Sequence, residues 1–191
     1  HASISAAKNE LILPESFPVT NYRDEVAKRV YQRYQSLLLA SNALDFDDLL
    51  LWTAALLEQN EKVRQRYARR FEHVLVDEFQ DTNLAQYRLL KHLASFHRNI
   101  FVVGDTDQSI YAWRGADYRN LLRFEEDFPD TQIVLLEQNY RSTQLILDAA
   151  TAVIERNPHR KHKRLFTDRG AGNRVVMHEA YDDRQEAAFV V

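Results

Sequence analysis

The chain has no cysteine. That excludes disulfide staples, thiol nucleophiles and cysteine-ligated zinc, and it is compatible with a reducing compartment. Only four glycines and four prolines occur in 191 residues, a composition that argues against a disordered chain and for a helix-rich, well-folded one. No apolar run approaches the roughly 20 residues that a bilayer-spanning helix needs, so membrane insertion is not expected. Positive charge is not in excess either. With a formal net charge of −3, any binding to nucleic acid must rest on local surfaces rather than on global attraction. The seven histidines show no metal-ligand spacing, and structural or surface roles are their default.

What is present is a 45% hydrophobic chain long enough to bury a core of ordinary size. It opens on His1, its single methionine is Met177, and it closes on Phe189, Val190 and Val191. We therefore expect a fragment of a larger protein.

Residues 1 to about 20 have weak periodicity, broken by Pro14 and Pro18. From Asn21 to about Ser41 or Asn42, Val26, Val30, Tyr34, Leu37 and Leu38 recur at helical spacing. Asp45 is a plausible N-cap for a second helix with Leu49, Leu50, Trp52, Ala55, Leu56 and Leu57, apolar over most of its circumference and expected to be buried. Asn60 caps a third, basic helix containing Val63, Tyr67 and Arg70. A strand then begins at Phe71, a helical pattern runs from Asn83 to about Phe96, and a second strand begins at Ile100. Strand, helix, strand is the grammar of a parallel α/β sheet, where reactive groups gather beyond the carboxyl ends of the strands.

Farther on, a short helix from Asp117 to Phe128 ends at Pro129, and the turn there is the expected domain boundary. Ile133 to Leu136 reads as a third strand. Ser142 is expected to cap a helix carrying Leu145, Ile146, Ala149, Ala150, Val153 and Ile154 on one face, stopped at Asn157 and Pro158. The basic run from His159 to Arg164 is either a phosphate track or a solvated loop. A Gly170 to Asn173 turn, a strand through Val175, Val176 and Met177, and a last helix capped by Asp182 and Asp183 complete the chain.

Three stretches can carry chemistry. The Phe71 strand stops on Asp77 and Glu78. One carboxylate there can hold a hydrated Mg²⁺ while the next polarises an attacking water, as nucleotide hydrolysis requires, although acidic residues end many strands. The second strand releases at Gly104, expected to free the backbone for a sharp turn, into a loop where the Gln108 amide can sense a terminal phosphate or orient water. Tyr111, Trp113 and Arg114 follow, two aromatic faces and a guanidinium that suit single-stranded nucleic acid; the bland alternative is a core aromatic pair with a surface arginine. In the third stretch, Tyr140 can stack on a base and Arg141 can reach a phosphate, or the pair can be a capping tyrosine and a solvent-facing arginine.

Taken together, Asp-Glu-Phe-Gln-Asp-Thr-Asn at 77–83, Gly-Asp-Thr-Asp-Gln-Ser-Ile-Tyr-Ala-Trp-Arg-Gly-Ala at 104–116 and Leu-Glu-Gln-Asn-Tyr-Arg-Ser-Thr at 136–143 closely resemble motifs II, III and IV of superfamily-one DNA helicases of the UvrD/Rep/PcrA type. The likeness extends back through Leu44 to Leu50 and forward to Arg160, Lys161 and Leu165 to Thr167. It implies an α/β fold with a RecA-like, P-loop NTPase-type parallel sheet flanked by helices, incomplete here and preceded by a helical segment. Residues 1–44 would belong to a 1B-like insertion, 45–130 to the second half of motor domain 1A, and 131–191 to the start of 2A. The resemblance further implies an ATP-dependent 3′ to 5′ helicase or translocase of DNA repair or replication, cytoplasmic and associated with the nucleoid. Its cofactors would be ATP and Mg²⁺. Its partners would be single-stranded DNA, junctions of single and double strands, repair or replication proteins and the rest of the helicase chain.

By the same likeness Asp77 binds Mg²⁺, Glu78 is the base on the lytic water and Gln108 couples the γ-phosphate to DNA. Tyr111 and Trp113 stack on unpaired bases, supported by Arg114. Tyr140 stacks on adenine, and Arg141 stabilises the transferring phosphoryl group. One departure is plain: with glycine only at 104, 115, 170 and 172, no Gly-x-x-x-x-Gly-Lys-Ser/Thr occurs, so nothing here cradles the β- and γ-phosphates as a P-loop does. The isolated chain is therefore expected to be a poor ATPase. Two other readings stay open: a non-catalytic nucleic-acid or protein-interaction module with a retained motor fold, and the motor part of a RecB/AddA-like helicase-nuclease.

Overall fold

A computed structural model describes residues 1–157 and 162–191. The chain divides into two compact units, His1–Thr131 and Gln132–Val191.

The first unit is built on two short parallel strands, β1 (Val74–Val76) and β2 (Ile100–Val102), in register as Val74 with Ile100, Leu75 with Phe101 and Val76 with Val102. Helices α1 (Ala2–Asn9), α2 (Tyr22–Ala40), α3 (Phe46–Gln59) and α4 (Glu61–Arg70) precede the strands; α5 (Leu84–Leu93) crosses between them, and α6 (Asn120–Asp127) follows. Parallel neighbours need such a crossover, because a hairpin cannot join them. The valines and isoleucine of one sheet face pack on a core of Phe79, Tyr87, Ala94, Phe124 and Phe128, while Leu75 and Phe101 point the other way and are exposed. Phe79 meets Phe124 edge-on at 5.6 Å between ring centroids, a favoured aromatic geometry.

The caps expected at Asp45 and Asn60 form. Asp45 accepts from the Asp48 amide and Asp48 answers the Asp45 amide, a reciprocal capping box; Asn60 accepts from the Val63 amide. Helix α3 buries one stripe, Leu51, Ala54 and Leu57, rather than most of its circumference, and Leu49 and Leu56 are exposed. Helix α2 likewise buries Tyr31 and Gln35, leaving Val26, Val30 and Leu37 exposed. Helix α5 stops at Leu93, short of Phe96. Asp117 does not open a helix; it lies buried in a loop, held by Arg119 and Arg123, and α6 starts at Asn120.

The first twenty residues, unreadable by periodicity, contain α1. Its buried side chains are Ile4, Ala7, Lys8 and Asn9, so half of the stripe is polar and the apolar pattern fails. Lys8 is fully enclosed. Its Nζ lies 2.7 Å from Asp45 Oδ2 and 2.8 Å from Asp48 Oδ1, while the Tyr34 hydroxyl donates to Asp45 and the Gln35 amide to Asp48. A charge taken wholly out of water is tolerable only with partners of this kind.

In the second unit α7 (Gln144–Ile154) buries Leu147, with Ile146 and Val153 exposed, and α8 (Asp183–Val190) is capped by Asp182. Ser142 is not the cap of α7. Thr143 holds that position without a side-chain bond, and the first amides of α7 donate to the carbonyls of Gly170 and Ala171. Gly170 and Gly172 adopt positive φ there, and a Cβ on Gly172 would run into Thr143. Neither Ile133–Leu136 nor Val175–Met177 forms a strand; among the described residues of this unit the sheet pairing is a single parallel bridge between Gln138 and Phe166. An apolar run becomes a strand only when another backbone satisfies its ladder, and among the described residues these runs have no such neighbour. Helix α7 ends at Ile154, before the expected stop at Asn157 and Pro158; Pro158, His159, Arg160 and Lys161 lie outside the described residues, and with them half of the basic run.

Lys8→Met leaves the buried Asp48 and the partly buried Asp45 without a counter-charge and should cost about 3–5 kcal/mol in urea unfolding. Burial works against the charged form of Asp127, but Lys91 and the Tyr87 hydroxyl outweigh it and hold its pKa below the ordinary carboxylate value. A depressed folded-state pKa gives stability above the unfolded value, near ~3.9, that is lost as pH falls through the folded value. Asp127→Asn should thus cost about 1 kcal/mol at neutral pH and flatten the fall of the melting temperature below about pH 4.

Candidate functional site

The ladder of β1 and β2 outlives the strands. The Val103 amide donates to the Val76 carbonyl at 2.8 Å and the Phe79 amide to the Val103 carbonyl at 2.9 Å, so the two chains leave the sheet side by side. Asp77 and Glu78 stand at this edge, both exposed. Asp77 Oδ1 accepts from the Glu78 amide at 2.9 Å. Glu78 takes a left-handed conformation, φ 50° and ψ 42°, unusual for a residue with a Cβ and held here because Phe79, next in line, is locked in the core.

A residue given no role in the sequence reading ties the site together. Gln80, 1% exposed, donates from Nε2 to Glu78 Oε2 at 2.8 Å and accepts at Oε1 from the Asp105 amide at 2.9 Å. Its signal was Gly104. That glycine does not take a positive φ, so the expected sharp turn is not its reason; a Cβ there would sit 2.8 Å from Gln80 Oε1. Close approach is what requires glycine.

Beyond Gly104 the loop folds onto Asp105. Its carboxylate caps the turn Thr106–Gln108 through the Asp107 amide and accepts from Gln108 Nε2 at 2.9 Å. Gln108 is thereby joined to the carboxylate edge through Asp105 and Gln80. Tyr111 and Trp113 come next, with ring centroids 6.4 Å apart and planes tilted by 51°. The Arg114 guanidinium lies 5.6 Å from the first ring and 5.5 Å from the second, within cation–π range. Trp113 is 79% exposed, so the pair is not a piece of core. Behind it Gly115 takes φ 88° against Asn9, and Asn9 accepts from Asn83, the cap of α5. Asp117 and Asn120 both donate to the Thr82 carbonyl.

In the second unit Tyr140 and Arg141 are exposed, Tyr140 at 76%. Asn139 Oδ1 accepts from the amides of Arg141 and Ser142, the Tyr140 hydroxyl donates to Gln138, and Arg169 donates to the carbonyls of Tyr140 and Arg141. The backbone of this turn is pinned and its two long side chains face solvent.

Residues 1–129 match the UvrD/REP helicase N-terminal domain, and residues 134–191 match the UvrD-like helicase C-terminal domain. The chain is 48% identical over 190 residues to the ATP-dependent DNA helicase PcrA of Bacillus subtilis, a match covering 98% of this chain and 26% of the relative. It is 52% identical over 200 residues to the ATP-dependent DNA helicase UvrD1 of Mycobacterium tuberculosis, with 98% and 26% covered. With PcrA of Staphylococcus aureus the identity is 48% over 191 residues, covering 99% and 26%.

Gly104→Ala tests the close approach: a methyl group at that point should displace the Gln80 amide from Asp105 and cost about 1–3 kcal/mol in urea unfolding. Unchanged stability would mean that the loop yields freely.

Proposed function

The chain belongs to the UvrD/Rep helicase family, and from that premise we propose that the protein carrying it is an ATP-dependent DNA helicase moving 3′ to 5′ in DNA repair or replication. The chain spans about a quarter of the length of the relatives it matches, 26% in each case, so the activity belongs to the larger protein. Within it, β1 and β2 are two strands of a RecA-like sheet. Residues 1–44 are part of a 1B-like insertion, 45–130 the second half of domain 1A and 131–191 the start of 2A. The observation that carries this reading is the hydrogen-bonded continuity of the Asp77–Glu78 edge with Gln108, which stands three residues before the exposed Tyr111, Trp113 and Arg114 cluster on the same loop.

In hydrolysis Glu78 accepts a proton from water, the water oxygen bonds to the γ-phosphorus, and the bond to the β–γ bridging oxygen breaks with ADP taking the electron pair. Asp77 is the residue to hold Mg²⁺. Among the described residues no group of three or more ligands is assembled for a metal, yet Mg²⁺ needs only one or two carboxylates beside waters and phosphate oxygens, and an exposed carboxylate at a strand end fits. When bound, the ion neutralises charge on the phosphates. Gln108 reports the terminal phosphate to the aromatic loop, and Tyr111 and Trp113 stack on unpaired bases. Tyr140 stacks on adenine and Arg141 meets the transferring phosphoryl group. Because the 191 residues hold no P-loop motif, the isolated chain is a poor ATPase.

In the full-length protein, Glu78→Gln should lower DNA-stimulated turnover by about 10²–10⁴-fold while ATP still binds. With Trp52 replaced by Phe, a single-stranded oligonucleotide should quench Trp113 emission, and Trp113→Ala should weaken binding by about 1–3 kcal/mol. A silent Trp113 would count against the stacking role.

A further inference from the structure

Between the proposed base and the proposed phosphate sensor runs an unbroken chain of side-chain and backbone hydrogen bonds. Glu78 Oε2 accepts from Gln80 Nε2, Gln80 Oε1 accepts from the Asp105 amide, and Asp105 Oδ2 accepts from Gln108 Nε2, at 2.8, 2.9 and 2.9 Å. The orientation of the central amide is forced. A carboxylate has no proton to give and a backbone N–H cannot accept, so only one of the two amide orientations satisfies both neighbours. Gln80 has no freedom to swing away: it is 1% exposed, its turn is pinned by Phe79 in the core and by the Thr82 hydroxyl on the Phe79 carbonyl, and Gly104 lies against its oxygen.

We propose that Gln80 is a positioning residue for hydrolysis: it fixes the Glu78 carboxylate and ties it to the Asp105–Gln108 loop, so that nucleic acid on the aromatic cluster is felt at the base. The inference rests on the reading of Glu78 as that base. Its physical logic has two parts. Glu78 is exposed and would sample several rotamers if left alone; one oxygen held by a buried amide leaves the other oxygen in a fixed place to take the proton from water, and displacement by about 1 Å costs on the order of 10²-fold in rate. The second part is the shared partner. The amide that holds Glu78 is itself held by the backbone of Asp105, the residue that caps the Gln108 turn, so a shift of that loop strains or breaks the bond that orients the Gln80 amide.

The test uses the full-length protein with three variants. Gln80→Glu keeps the shape and the bond from the Asp105 amide but turns a second carboxylate toward Glu78. Gln80→Met fills the same space and severs both bonds. Glu78→Gln reports separately on the base. The expected result is that Gln80→Glu lowers DNA-stimulated kcat by about 10- to 100-fold with KM for ATP within about twofold, while Gln80→Met drives the ratio of DNA-stimulated to basal turnover toward one. Thermal unfolding of each variant measures the folded fraction. If both Gln80 variants keep kcat and the stimulation ratio within about twofold, or lose activity only in step with the folded fraction, while Glu78→Gln is inactive, the positioning role is overturned and the base stands. If Glu78→Gln is itself active, the reading of Glu78 falls and this inference falls with it.

Discussion

Everything at the site of the first unit depends on the parallel register that sets Val76 beside Val102. The strands are three residues long on each side, too short to be stable as a sheet. They persist because one face packs on Phe79, Tyr87 and Phe124 and because the ladder continues past their ends through Val103 and Phe79. That continuation brings the carboxylate edge and the Gly104 loop to a common height, so that a single glutamine can reach both. A slip of one residue would turn every side chain of a strand to the other face, putting Val74 and Val76 in solvent and Leu75 in the core.

The residues of the candidate site can be picked out from the sequence because their chemistry is local. Carboxylates at a strand end, a glycine after the next strand and an aromatic pair with an arginine announce themselves in order along the chain, and caps such as Asp45 and Asn60 are read from one short side chain next to an apolar run. What failed to show was set by partners distant in sequence. Lys8 and Asn9 break the apolar pattern of α1 and are satisfied by residues 37 and 74 positions away. Gln80 looks like any polar turn residue until Asp105 is brought to it. At Gly104 the sequence points to a turn where the structure needs closeness, because a sequence cannot distinguish a glycine needed for φ from one needed for close approach. Ile133–Leu136 has all the marks of a strand, but pairing is a property of two segments, and among the described residues of the second unit the pairing is the single bridge of Gln138 with Phe166.

The adjacent pair Lys8 and Asn9 shows how the site is braced from behind. Lys8 is drawn into the capping box of α3, joining the end of α1 to the start of that helix through two carboxylates. Asn9, next to it, accepts from the cap of α5 and packs on Gly115 at the end of the aromatic loop. An ion cluster built on a fully buried lysine is a costly way to gain stability, but it is a strongly directional one: three charges and two hydroxyl or amide donors leave α1 a single seat. With α1 so placed, Asn9 has one position, the α5 cap has one position, and the turn that carries Trp113 closes against a surface that cannot drift. A stretch of weak periodicity is thus the back wall of the Tyr111 and Trp113 loop, and a rigid back wall is what keeps a flat, solvent-facing ring such as Trp113 from collapsing onto the protein.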